Sequence, residues 1–354
     1  MNLKTKEVKG FYSKFLKKYT SEIPPNQCIL MPPFGKYVAG SHIQPKWDIP
    51  EEVVIVCAVT GGQVPKEENP NQPYTDEEVA RECIAALDEG ATGLHIHARD
   101  PTTGRSISDG KHFRQVVDAV LEKYPIGPRN ILDLGTHGAI PEYPVGKHEV
   151  LSHTAALLKT ISPEERIIEV SPFRPCPTFA VDELVFCWVE SGIAHVEYLQ
   201  ELGIKPQAVI YDHGSIDATE RYFIKTGIWQ PPFNWLILDG APSTSAIGDP
   251  EAVIHSLLLY KKRIEQIDRK YDTESIIIVG ECGRAGALMT TLAMMLGLHI
   301  RVGMEDTLYC YPHREELMPN NAWAVRRARA IAEALGRKVA NANEYRKLMG
   351  MSPR

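Results

Sequence analysis

From Val53 onward, short apolar segments alternate with longer amphipathic segments, and this alternation occurs eight times before Gly336. The short segments are almost continuously apolar, as is typical of parallel strands that are buried on both faces. The longer segments carry apolar residues at the three- and four-residue spacing of helices. The predicted strands are residues 53–59, 92–97, 130–135, 166–171, 207–211, 234–238, 275–280 and 299–303. Two helical pieces, residues 181–190 and 194–202, are predicted between the fourth and fifth strands.

Eight strand–helix units in succession predict a parallel sheet, because parallel neighbours need a crossover connection between them. Residues 53–336 span a length close to the roughly 250 residues of a (β/α)8 barrel, and no antiparallel hairpin pattern interrupts the units. The alternative, a doubly wound open sheet, predicts a glycine-rich phosphate turn after the first strand. The segment from Thr60 to Gln63 matches that pattern poorly, so an α/β fold with a TIM barrel is favoured.

Residues 1–52 differ in character from the rest of the chain. Helical spacing over residues 6–19 is followed by a segment rich in proline up to Pro50. Such a segment lacks the regular apolar pattern of a domain with its own core. We therefore predict an N-terminal extension or arm over residues 1–52, and a catalytic barrel domain over residues 53–354.

The composition excludes several classes of function. A formal net charge of −6 without a basic cluster argues against a nucleic-acid-binding surface. The apolar runs are too short to span a bilayer, and residues 1–6 lack the apolar core of a secretory signal. The seven cysteines are dispersed without paired spacing, which predicts reduced thiols and a cytoplasmic location.

The second predicted strand ends in His95 and His97. Residues i and i+2 of a strand point to the same face, so the two imidazoles are expected to lie side by side. Two imidazoles are half of a divalent-metal site, although the same pattern is also found in hydrogen-bonded core histidines. The pair alone therefore leaves both interpretations open.

The eighth predicted strand supplies the missing half of such a site. Active-site residues of a barrel lie at the carboxyl ends of its strands, where Arg301 and Glu305 share a face by the period of two. His95, His97 and Glu305 form a set of two imidazoles and one carboxylate that leaves a further position open for water or substrate. This donor set suits zinc, and it also suits iron or manganese.

Other polar residues follow the predicted strands and are candidates for contact with substrate: Gln63, Arg99, Thr136 and Arg284. Arg284 is suited to bind a substrate carboxylate through a bidentate fork, or to form a structural salt bridge. His137 is a further candidate ligand or acid, although a histidine flanked by glycine in a loop is more often simply exposed.

Taken in order, these features resemble the beta-keto acid cleavage enzymes, typified by 3-keto-5-aminohexanoate cleavage enzyme. The resemblance extends from about Val53 to the C-terminus. The segments that carry it are residues 60–61, 75–78, 90–91, 95–100, 136–139, 301–306 and 320–322. The most specific feature is the joint presence of His-x-His-x-Arg at 95–99 and Arg-x-Gly-x-Glu-Asp at 301–306.

The resemblance implies a (β/α)8 barrel with a zinc ion, a homotetramer, and a reverse Claisen-type exchange between a 3-keto acid and acetyl-CoA. It implies that His95, His97 and Glu305 are the metal ligands. It also implies that Asp306 is the acid/base carboxylate and that Arg301 is its oriented partner. These roles are chemically consistent, since a metal ion stabilises an enolate and a guanidinium keeps a nearby carboxylate ionised.

Three positions depart from the family pattern. Gln63 stands where the family has an acidic residue, and a glutamine cannot be a general base. Gly135 stands where the family often has serine, and His137 takes the place of a glycine. These changes predict a different keto acid or a reaction without CoA.

Two other functions stay open at the level of sequence. A metal-dependent hydrolase of the amidohydrolase type also has His-x-His in a barrel, but on strand one, with further histidines on strands five and six. Here the pair is on strand two, and strand six ends in Leu238-Asp239-Gly240. A barrel that binds a small ligand without turnover is the non-enzymatic alternative.

Overall fold

The structure, a computed structural model, describes residues 46–61, 64–107, 109–125, 132–134, 168–176, 178–180, 183–185, 188–240 and 249–354. Most of the predicted N-terminal extension lies outside these ranges, as do Gln63, Gly135, Thr136 and His137. Residues 50–354 belong to one compact unit. The division of the chain at residue 52 stays a prediction.

Eight parallel strands close into a barrel. They are β1 (Ile55–Ala58), β2 (Gly93–Ile96), β3 (Leu132–Leu134), β4 (Ile168–Phe173), β5 (Lys205–Ile210), β6 (Asn234–Ile237), β7 (Ile276–Gly280) and β8 (His299–Val302). Each strand pairs with the next one along the chain, and β8 pairs with β1 to close the sheet. The predicted TIM barrel is therefore confirmed.

Helices follow the strands within the described ranges. They are α1 (Asp76–Asp88), α2 (Gly110–Lys123), α3 (Val189–Glu201), α4 (His213–Thr219), α5 (Pro250–Tyr271), α6 (Gly286–Met295), α7 (Asn321–Ala334) and α8 (Ala342–Leu348), and a π-helical turn (Glu220–Ile224) continues α4. Thr75 begins α1 because its side chain accepts a hydrogen bond from Glu78 N, while Glu78 accepts one from Thr75 N. Among the described helices, none is long and apolar enough to cross a membrane.

Short strand pairs lie outside the barrel. Ala98–Arg99 pairs with Ser106–Ile107 and Thr178–Ala180 pairs with Glu183–Val185, both in antiparallel fashion. A further pair, Glu52–Val53 with Lys338–Val339, is parallel. The sequence showed no hairpin pattern for these pairs. The helical piece predicted at residues 181–190 is wrong at Glu183–Val185, which form a strand. A short apolar run fits a strand as well as a helix, so spacing alone did not separate them.

The core has two layers because side chains alternate along each strand. In β5, Ala208 and Ile210 pack against the helices, whereas Val209 faces the barrel interior. Tyr345 and Met349, in α8 and just after it, pack into the interior layer. Since the Tyr345 hydroxyl accepts a hydrogen bond from the Asn234 side chain at the start of β6, α8 closes the amino-terminal end of the barrel. The carboxyl-terminal end is left for a functional site.

A buried ion pair joins β4 to α8. Arg346 Nε and Nη2 donate hydrogen bonds of 2.8 and 2.7 Å to the two oxygens of Glu169, and the side chains are 0% and 1% exposed. We expect Glu169→Gln to lower the free energy of unfolding by about 3–5 kcal/mol, because the buried guanidinium loses its counter-charge. Urea denaturation followed by circular dichroism measures this change. The exposed pair of Asp118 with Arg114 provides the control, since Asp118→Asn should cost less than about 1 kcal/mol. Equal losses in the two variants would contradict a special role for the buried pair.

Candidate active site and metal centre

The site lies where β2 and β8 flank β1 at the carboxyl-terminal end of the barrel. His95 is in β2, paired in register with Ala58 of β1, and Glu305 follows β8. Two glycines allow the close approach of these segments. A Cβ atom at Gly61 would lie 2.5 Å from Glu305 Cγ, and one at Gly303 would lie 2.2 Å from Ala58 O. Gly303 also has a φ of +141°, which side-chain-bearing residues rarely adopt.

The two histidines and the glutamate meet as the sequence predicted. His95 Nε2 lies 3.3 Å from Glu305 Oε2, and His97 Nε2 lies 3.4 Å from Glu305 Oε1. The two imidazole rings are 5.0 Å apart between centroids and inclined by 70°. One ligand atom from each residue can be chosen so that all three atoms lie within 4.8 Å of one another.

The residues of this cluster could hold a divalent metal ion, and zinc provides a test of the distances. Zinc bonds of roughly 2.0–2.1 Å in a tetrahedron place neighbouring ligand atoms about 3.3 Å apart. The distance from each histidine nitrogen to one Glu305 oxygen is of that size, with a different oxygen in each case. Burial lowers the pKa of His97, and a neutral imidazole keeps the lone pair that a metal requires. Three protein ligands leave room for a substrate oxygen.

Arg301 connects both acids of the site. Its Nε and Nη2 donate hydrogen bonds of 2.8 and 2.7 Å to the two oxygens of Asp306. Nη2 also donates to Glu305 Oε1 at 2.7 Å. Burial alone would lower the pKa of Arg301, but the two carboxylates raise it well above its usual value. The guanidinium therefore remains charged and fixes both carboxylates in space.

The two neighbouring carboxylic acids have pKa values shifted in opposite directions. Burial acts to raise the pKa of Glu305, but Arg301 and the two histidines outweigh it and hold the pKa well below its usual value. Burial raises the pKa of Asp306, and the charge of Glu305 raises it further against the opposing effect of Arg301. Two acids separated in this way suit two roles, one as an ionised ligand and one as a group that moves protons.

A cavity of about 380 Å³ is lined by the residues of this site, which are His95, His97, Arg301, Glu305 and Asp306. Arg284 lies at its mouth, where its guanidinium stacks 3.7 Å from the centroid of Tyr309. Arg284 Nη2 also donates hydrogen bonds of 2.7 Å to both oxygens of Glu315. The salt bridge considered for Arg284 from sequence is thus present, and its contact with a substrate carboxylate stays a prediction.

Arg99 occupies a different place from the one expected of a substrate contact. It is buried and is not among the residues that line the cavity. Its guanidinium donates hydrogen bonds to Thr60 Oγ1, Val64 O and Gly104 O, and it stacks over the ring of Tyr74 at 4.2 Å. These contacts hold the loop that follows β1, so a contact between Arg99 and substrate remains only a prediction.

Asn321 is a positioning residue that the sequence pattern alone did not single out. Its Oδ1 accepts a hydrogen bond of 3.0 Å from Met304 N, and its Nδ2 donates one of 3.1 Å to Val59 O. The side chain therefore ties the segment before Glu305 to the end of β1. The one sequence signal for it is the Asn-Asn-Ala segment of the family resemblance. Gln63 and Thr136 lie outside the described residues.

Comparisons with known proteins identify the family of the chain. The beta-keto acid cleavage enzyme family matches residues 52–351. The 3-keto-5-aminohexanoate cleavage enzyme of Fusobacterium nucleatum is 31% identical over 304 residues, which cover 85% of this chain and 98% of that protein. The 3-dehydrocarnitine:acetyl-CoA trimethylamine transferase of Rhizobium meliloti is 24% identical, with 86% of this chain and 98% of that protein covered.

A solved structure supports the fold. The binary complex of ObcA with oxaloacetate superposes with a TM-score of 0.65 at 18% identity, covering 80% of this chain and 68% of that chain. Identity at this level shows the barrel architecture and nothing about substrate. The family match over residues 52–351 and the relative at 31% identity show the family of the chain as well as its fold. The chain belongs to the beta-keto acid cleavage enzyme family, whose members cleave carbon–carbon bonds.

Proposed function

We propose that this protein uses a zinc ion to cleave a 3-keto acid and to transfer its acyl group to the CoA of acetyl-CoA. The observation that carries the proposal is the cluster of His95, His97 and Glu305 beside the Arg301–Asp306 pair in one cavity. Two relatives support acetyl-CoA as the co-substrate by their names, a 3-dehydrocarnitine:acetyl-CoA trimethylamine transferase and a 3-oxoadipate:acetyl-CoA acetyltransferase.

The proposed reaction balances without an oxidant or reductant. The bond between C2 and C3 of the keto acid breaks. The acetyl carbon of acetyl-CoA forms a new bond to C2, which yields acetoacetate. The remaining acyl group, C3 with its substituent, forms a thioester with the CoA sulfur that acetyl transfer released.

The residues of the site suit these changes. His95, His97 and Glu305 would hold the zinc, which when bound acts as a Lewis acid toward the oxygens of the keto acid. Asp306 lines the cavity and has a raised pKa, so it is suited to take a proton from C2 and to return one. Arg301 holds the Asp306 carboxylate by two hydrogen bonds, which fixes its orientation toward the substrate.

A substrate screen tests the proposal. A panel of 3-keto acids is incubated with the zinc-loaded protein, with and without acetyl-CoA, and acetoacetate and acyl-CoA are followed by mass spectrometry. We expect loss of keto acid only when acetyl-CoA is present, with one acetoacetate formed for each new acyl-CoA. Cleavage at the same rate without acetyl-CoA would show that water is the acceptor. Failure to cleave any keto acid would overturn the proposal.

The hydrolase alternative has less support in the structure. The histidine pair begins in β2, whereas the amidohydrolase pattern places it on the first strand. Asp239, which follows β6, accepts a hydrogen bond from Ser256 of α5 and is not among the residues that line the cavity. No described observation favours hydrolysis over acyl transfer, and the same screen without acetyl-CoA separates the two reactions.

We further propose a cytoplasmic homotetramer. Five cysteines lie in described segments, and all are free thiols, which supports a reducing compartment. The tetramer rests on the family resemblance. Size-exclusion chromatography with light scattering tests it, and a monomer at micromolar concentration would overturn it.

A further inference from the structure

We infer that the substituent on C3 of the substrate is uncharged and apolar, and that it binds the side of the cavity opposite the metal ligands. The inference rests on the proposed function, because it names the class of keto acid that this site takes. The surface concerned, here the apolar wall, consists of Pro172, Val209, Tyr211, Leu236 and Leu238.

The barrel register builds this wall. Val209 of β5 and Leu236 of β6 are paired across adjacent strands, so they face the interior together. Tyr211 and Leu238 follow each of them by two residues and face the same way. All four side chains are buried in the interior core layer and line the cavity. The wall is therefore preformed by strands rather than by a mobile loop.

The charged groups that line the described cavity lie elsewhere. The histidines, Arg301 and the two acids occupy the side formed by β2 and β8. Glu68 and Arg284 are exposed at the mouth. The described lining contributed by β4, β5 and β6 carries no ionisable side chain other than the Tyr211 phenol.

Two acids that follow β6 and β7 could supply a negative charge near the wall, but they do not line the cavity. Asp239 accepts a hydrogen bond from Ser256 of α5. Glu281 forms an ion pair with Arg327 of α7. Both acids therefore interact with the surrounding helices. On the apolar wall a cationic substituent would find no counter-charge and an anionic one would find no positively charged donor. Arg284, the exposed guanidinium at the mouth, is already paired with Glu315.

The chemical consequence is that the site should discriminate between keto acids of equal chain length by the charge of the substituent on C3. A charged substituent moved from water onto the apolar wall loses hydration without gaining an ion pair. Each methylene of the substrate that moves from water onto the apolar wall raises the affinity about fourfold, which corresponds to its free energy of transfer from water. We therefore expect the site to prefer a keto acid with an alkyl substituent.

Three acids of six carbons test the inference: 3-oxohexanoate, 3-oxoadipate and 3-keto-5-aminohexanoate, whose substituents on C3 are neutral, anionic and cationic. Binding without acetyl-CoA is measured by calorimetry, and turnover with acetyl-CoA is measured separately. We expect 3-oxohexanoate to exceed both charged acids by at least about a hundredfold in affinity and in kcat/KM. Equal or tighter binding of either charged acid, or no binding of 3-oxohexanoate, would overturn the inference.

The binding measurement separates this inference from the proposed function. Selective binding of 3-oxohexanoate without turnover would uphold the apolar wall and overturn the acyl transfer. Leu238→Ala provides a second test. The variant should show a measurably smaller preference for 3-oxohexanoate over 3-oxopentanoate, with the ratio of their kcat/KM values reduced by up to about fourfold. The matched control is Leu258→Ala, which removes an exposed leucine of α5 outside the cavity. The control should leave that ratio unchanged, and an equal change in the two variants would count against the wall.

Discussion

His97→Ala is expected to abolish zinc binding and, with it, cleavage of the keto acid. His97 Nε2 lies 3.4 Å from Glu305 Oε1, and the imidazole is buried. Alanine would leave one imidazole and one carboxylate, which is too few protein ligands for a stable zinc site. Since altering groups that merely orient a ligand already costs about 10–100-fold in metal affinity, loss of a ligand should cost more than about 100-fold.

Zinc content per chain after dialysis against a weak chelator measures this effect, and the cleavage rate is followed in the same samples. His255→Ala is the matched control because His255 is exposed on α5, away from the cavity. The control should retain full zinc content and full activity. Circular dichroism of each variant checks that the fold is retained. A wild-type protein that binds no zinc after loading, or a His97→Ala variant that retains it, would contradict the metal centre.

Much of the fold could be predicted because buried parallel strands leave a strong pattern in the sequence. The run around Ile55 and the run around Ile277 are apolar on both faces, so their strands are recognisable without knowledge of their neighbours. The hairpin at Thr178–Ala180 was not recognisable, since a short apolar run fits either a helix or a strand. The pair of Glu169 with Arg346 joins residues far apart in sequence, and nothing local marks it.

The same distinction applies to the site. The cluster of His95 with Glu305 follows from two local rules, the period of two in strands and the position of active sites at strand ends. The place of Arg99 does not follow from them, because its partner Thr60 lies on another strand end and the packing of Tyr74 decides its direction. The apolar wall cannot be predicted from the sequence for a similar reason. Leu238 has the sequence character of any core residue, and its position in the cavity depends on closure of the barrel.

Asp306→Asn is expected to reduce kcat for keto-acid cleavage by about 10²–10⁴-fold while zinc content stays at the wild-type level. Asparagine has the shape of aspartate but cannot take up a proton at neutral pH, so the variant removes the acid/base function. It also loses one of the two hydrogen bonds from Arg301, because an amide nitrogen cannot accept one. The three metal ligands are untouched, and Arg301 retains its hydrogen bond to Glu305 Oε1. The change therefore separates proton transfer from metal binding, which the His97 variant affects together.

Exchange of the C2 hydrogens of the keto acid with deuterium in D2O, without acetyl-CoA, provides the decisive measurement. The zinc-loaded wild type should accelerate this exchange above the rate in buffer, and Asp306→Asn should not. Asp118→Asn, on the exposed face of α2, is the matched control and should exchange like the wild type. A residue that only supports the structure would affect exchange and stability together, so thermal unfolding is recorded for each variant. If Asp306→Asn retains full exchange and full cleavage on the best substrate, another group moves the proton and the role assigned to Asp306 is wrong.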